Sequence, residues 1–88
     1  MLKIDKIKQL CQHLPEKDKS LALKLIDHRD FDSLSMLITS VIARREIAIV
    51  DENTTSDYYD LDINPIMELD VAVSEYKEQL IQNDDEEY

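Results

Sequence analysis

The chain has 88 residues, two prolines, one cysteine and no glycine, and carries a formal net charge of −10. A chain of that length forms one small domain with a thin core, burying roughly 60–65% of the surface it exposes when unfolded. The lack of glycine works against sandwiches, barrels and glycine-rich phosphate loops, which need residues at positive φ, and leaves helices joined by short connections.

A lone Cys11 has no partner for an internal disulfide and fits a reducing setting inside a cell. The opening MLKIDKIKQL is interrupted by charges every two or three residues, so no apolar signal segment is expected there. The longest uncharged run, Ser33 to Ala43, is too short to span a bilayer, and a soluble protein with no membrane partner is expected. Charge is unevenly placed. Residues 1–50 hold nine Lys/Arg against seven Asp/Glu, and residues 51–88 hold one, Lys77, against thirteen. Such a split suggests two surfaces with different partners, or one basic patch and one acidic arm.

Ile4, Ile7, Leu10, Cys11 and Leu14 fall on one helical stripe and predict a first helix from Lys3 to His13. Pro15 ends it and suits the first turn of a second helix, Pro15 to His28, with Leu21, Ala22, Leu25 and Ile26 inward. Asp32 is the expected cap of a third helix, with Phe31 stapled on Met36. That helix, Ser33 to Val50, is the centre of the chain: Leu34, Leu37, Ile38, Val41 and Ile42 form a broad apolar face. Ile47 to Val50 read equally well as a short strand. Asp51 to Ile63 is an acidic connection without a period, anchored by Tyr58, Tyr59 and Leu61. Asn64 and Pro65 predict the cap and first position of a last helix. Within it Ile66, Leu69, Val73, Tyr76 and Leu80 step by 3, 4, 3 and 4, a seam two heptads long that needs a partner surface; the helix either returns onto the core or reaches out to another chain, and the seam favours the latter. Asn83 to Tyr88 reads as a solvated acidic tail.

Few patterns bear on chemistry. Asp60, Asp62 and Asn64 have the spacing that opens a calcium loop, but proline stands where its glycine is required and Val71 where its glutamate is required. Cys11, His13 and His28 are too scattered for a zinc site. No glycine-bounded turn exists to expose a nucleophile. Neither an enzyme nor a cofactor is expected. Arg44 and Arg45 stand at the polar side of the third helix, where they could hold a phosphate or a carboxylate. Asp57, Asp60 and Asp62, with Glu68, Asp70, Glu75 and Glu78, present regularly spaced negative charge. They suit a basic protein surface, or imitate nucleic-acid phosphate, and argue against direct nucleic-acid binding by this half. Tyr58, Tyr59 and Tyr76 are amphipathic anchors of a kind common in binding surfaces.

The stretch LPEKDKSLALKLIDHRDFDSLSMLITSVIARRE, residues 14–46, resembles a segment of small acidic helical proteins of tailed bacteriophages and their hosts. The resemblance rests on LPEKD, an apolar helix, RDFDSL and a second helix. It implies a small auxiliary component of a virion, seated between larger subunits, and carries over no functional residue. The same stretch is similar to the two helices of ribbon-helix-helix repressors. Those proteins place a basic, alternating strand before the first helix, whereas KQLCQHL fits a helix stripe.

The expected fold is therefore all-α: a helical core over 1–50, an acidic connection over 51–63, an amphipathic helix over 64–82 and a tail over 83–88. The expected function is a non-enzymatic interaction component, first of all a phage structural or auxiliary protein. Its binding surface is expected to be Ile66, Leu69, Val73, Tyr76 and Leu80 with Tyr58, Tyr59, Asp57, Asp60 and Asp62. Its partners would be larger protein subunits, with a homo-oligomer possible, in a virion or a bacterial cytoplasm. The alternatives are an antitoxin-like repressor with an acidic toxin-binding arm, and an acidic nucleic-acid mimic that inhibits a DNA-processing enzyme.

Overall fold

The computed structural model describes residues 3–86, and side chains over residues 4–80. It is all-helical, with α1 Lys3–Cys11, α2 Glu16–Asp27, α3 Phe31–Val50 and α4 Ile63–Glu86. Each helix packs on two others, in the ring α1–α2–α3–α4, and α4 closes the ring against α1. The core is one cluster that draws on all four: Ile7 and Cys11, Ala22 and Ile26, Phe31, Leu34, Ile38 and Val41, and Ile66, Leu69 and Val73. At ~1.5 Å per residue α3 and α4 run ~30 and ~36 Å, about twice the length of α1 and α2. The molecule is accordingly elongated, 52 × 20 × 19 Å.

The helix ends carry the local logic. Asp30, not Asp32, caps α3: its Oδ1 accepts the Ser33 N–H at 3.2 Å. Hydrogen bonding from Ser33, by its side chain first and its backbone N–H second, holds the Asp30 carboxyl below its ordinary pKa. Moving the cap back by two residues makes Phe31 the first helical residue. Phe31 then turns into the core and meets Tyr76 edge-on, with ring centroids 4.8 Å apart. The expected staple is absent, since Met36 is 70% exposed. At the start of α4, Asp62 rather than Asn64 makes the capping bond, accepting the Asn64 N–H at 3.1 Å. Pro65 occupies the third helical position, where a missing N–H costs nothing because first-turn donors have no partner in the helix.

Both α2 and α3 end in a left-handed residue, Arg29 at φ 58° and Glu52 at φ 53°. In each case its own N–H and that of the following residue fold back onto the last turn. Arg29 and Asp30 donate to the Ile26 and Leu25 carbonyls, and Glu52 and Asn53 to those of Ile49 and Ala48. This is the Schellman arrangement, normally made with glycine; a chain without glycine makes it with Arg29 and Glu52 at a steric cost.

Ile47 to Val50 are helical, so the strand alternative fails. Leu21 is exposed, not inward, because α2 buries the row Asp18, Ala22 and Ile26. The helical backbone of α4 continues to Glu86, through most of the stretch expected as a tail; Glu87 and Tyr88 lie outside the described residues. No described helix is long and apolar enough to cross a membrane.

Candidate protein-interaction surfaces

The four-residue spacing of Asp18, Ala22 and Ile26 points a carboxylate into the protein, and Asp18 is only 5% exposed. Its partner lies forty residues away. Tyr58 Oη donates to Asp18 Oδ2 at 2.7 Å and accepts from Arg44 Nη1 at 3.2 Å. The Arg44 guanidinium also lies over the Tyr58 ring, 5.8 Å from its centroid. Three elements are thus joined through one phenol: α2 by Asp18, α3 by Arg44 and the acidic connection by Tyr58. Burial and the hydrogen bond to Asp18 push the Tyr58 phenol above its ordinary value. The phenol oxygen beside it raises the Arg44 guanidinium further.

At the next residue, Arg45 Nε donates to the Leu61 carbonyl at 2.9 Å. From Asn53 to Leu61 the connection is a series of short turns, closed by Ser56 N–H to Asn53 O, Tyr59 N–H to Ser56 O and Leu61 N–H to Tyr58 O. So Arg44 and Arg45, read from the sequence as a site for a phosphate or a partner's carboxylate, both bond the chain's own loop. The loop's carboxylates point outward. Asp57, Asp60 and Asp62 are exposed. Among the described residues the ion pairs are Lys19 with Glu16 and Lys77 with Asp32, neither of them on the loop.

The seam of α4 requires a correction. Ile66, Leu69 and Val73 have no exposed surface at all: they are core, packed with α1 and α3 residues. The 3–4 spacing had marked a helix that needs an apolar surface, and the chain supplies that surface itself. Tyr76 is half-buried on Phe31, and Tyr59 is half-buried. Only Leu80 of the seam is exposed, beside Arg29, Phe31, Asp32 and Lys77.

The apolar groups left outside were not read from the sequence as surface. On α3 they are Met36, Ile47, Ile49 and Val50; Ile47 and Val50 are 60% and 79% exposed and share a row with Met36 and Ala43, while Ile49, 41% exposed, lies off it. At ~100° per residue, positions 36, 40, 43, 47 and 50 form a second 4-3-4-3 row on the side opposite Leu34, Ile38 and Val41. That row was visible in the spacing, hidden by the stronger inner face. On α4, Met67 and Val71 stand exposed near Lys6, Glu68 and Glu75. Among the described residues, no three His, Cys, Asp or Glu side chains are grouped to hold a metal ion. The Cys11 thiol is pushed up to about 11 by burial, which suits packing rather than nucleophilic chemistry. No protein-family model matches this chain, and comparisons with curated proteins and with solved structures find no match either.

Proposed function

We propose that this protein is a non-enzymatic interaction module that presents its acidic half to a basic surface of a larger protein. One observation carries the reading: the 51–62 connection is held by the Asp18–Tyr58–Arg44 and Arg45–Leu61 bonds, while Asp57, Asp60 and Asp62 remain exposed. A held array of carboxylates loses little conformational entropy on binding and steers a cationic partner during encounter. Glu68, Glu75 and Glu78, exposed on α4, extend the field along the molecule. The resemblance over residues 14–46 supports a subunit of a larger assembly, of the phage virion kind, as the source of that partner.

The test is affinity capture from the native source. Wild type is compared with Asp57→Asn/Asp60→Asn/Glu75→Gln/Glu78→Gln at low and high salt. A basic partner held by wild type, and lost from the variant and at high salt, supports the reading. Equal capture by both proteins refutes it. A salt-dependent complex with DNA through residues 1–50 would also refute it, in favour of a repressor.

A further inference from the structure

We infer that the C-terminal end of α3 is the docking site for a basic amphipathic helix of a partner protein, seated on Ala43, Ile47 and Val50 between Glu46 and Asp51. The inference rests on the acidic-module reading and supplies the apolar contact that the seam of α4 does not provide.

Those five residues line one shallow depression. Val50 on its floor, at 79%, is the most exposed large apolar side chain among the described residues, and Ile47 beside it is 60% exposed. The three apolar positions recur at i, i+4 and i+7, the repeat by which one helix receives another along a seam. Charge then chooses the occupant. The last turn of α3 holds no basic residue, so the negative pole of its dipole is uncompensated, and Asp51 and Glu52 follow it directly. The cations that precede it on α3, Arg44 and Arg45, bond Tyr58 and the Leu61 carbonyl and are committed to the loop. A lysine or arginine of a partner helix can lay its methylenes on Ile47 and Val50 and place its charge between Glu46 and Asp51. A second copy of this chain would bring the same carboxylates and a further net charge of −10.

The probe is an 18-residue peptide of leucine and lysine with the leucines on one helical face, added to 15N-labelled protein. Its control is the same composition scrambled. The inference predicts amide shifts concentrated over residues 43–51. It predicts about tenfold weaker binding by Ile47→Ser/Val50→Ser, and similar weakening by the scrambled peptide. These two positions are exposed, so the variant keeps its fold, checked by circular dichroism. Shifts confined to 57–62 and 68–78, with affinity unchanged in Ile47→Ser/Val50→Ser, would overturn the docking site and leave the acidic-module reading standing. Loss of binding only on neutralising Asp57 and Asp60 would overturn it in the same way. A dimer in sedimentation that Ile47→Ser/Val50→Ser dissociates would show that a second copy covers the patch, and would also overturn it.

Discussion

Replacing Val73 with alanine separates the two meanings of the α4 seam. In the structure Val73 has 0% exposure and sits in the central cluster, whereas Val71, two residues earlier on the same helix, is 56% exposed. Val73→Ala removes two methyl equivalents from the core, at ~0.8 kcal/mol each. The remaining void, roughly 50 Å³, adds ~1 kcal/mol at the rate measured for core cavities. The expected loss is therefore ~2–3 kcal/mol, a fall in Tm of about 10–20 °C for a domain of this size. Val71→Ala is expected to cost under ~0.5 kcal/mol. Urea unfolding followed by circular dichroism at 222 nm measures both variants in the isolated protein. Equal stability of the two would refute the reasoning. It would mean that α4 does not close this chain's core and that the seam faces a partner after all. Val73→Asp should leave the isolated protein unfolded, because a buried unpaired carboxylate costs most of the ~5–13 kcal/mol available to a chain of this length.

Other expectations follow from the same geometry. Tyr58→Phe deprives the buried Asp18 carboxylate of its donor and should cost ~1.5–3 kcal/mol in chemical denaturation. Because the folded state raises the Tyr58 phenol, it holds that proton more tightly than the unfolded chain does. The stability from this linkage is complete below the ordinary value of 10.0 and is lost as pH rises through the folded value. Wild type should therefore lose more stability than Tyr58→Phe above pH 10, as measured by unfolding across that range. Glu52→Gly removes the clash of a left-handed residue at the end of α3, and should raise stability by ~0.5–1 kcal/mol after the entropy of the freer unfolded chain is counted. Cys11 is fully buried, with its thiol raised to about 11, so a thiol reagent at pH 8 should label it only as fast as the protein opens.

Much of the architecture follows from periodicity. Leu34, Ile38 and Val41 on α3, Ile7, Cys11 and Leu14 at the N-terminus, and Ala22 and Ile26 on α2 are buried where their spacing puts them. What spacing does not decide is the competition between near-equal local choices. Asp30 and Asp32 both flank Phe31, and either can cap a helix; the cap at Asp30 is the one that sends Phe31 inward onto Tyr76. Asp62 and Asn64 compete in the same way before Pro65. Asp18 has the composition of a solvated first-turn acid, and only a tyrosine forty residues later makes its burial tolerable. The α4 seam was legible as apolar, with a return onto the core and a reach to another chain both left open, because a 3–4 repeat specifies a need for a partner surface without saying which chain provides it.

An acidic connection that presents its carboxylates must be a held surface rather than a floppy tether, and backbone 15N relaxation over residues 53–62 of the free protein measures that directly. The Asp18–Tyr58–Arg44 and Arg45–Leu61 bonds predict order parameters near ~0.85 from Tyr58 to Leu61, falling in Tyr58→Phe. Values below ~0.6 across those residues in wild type would contradict it, because Asp57, Asp60 and Asp62 would then have no fixed arrangement to present.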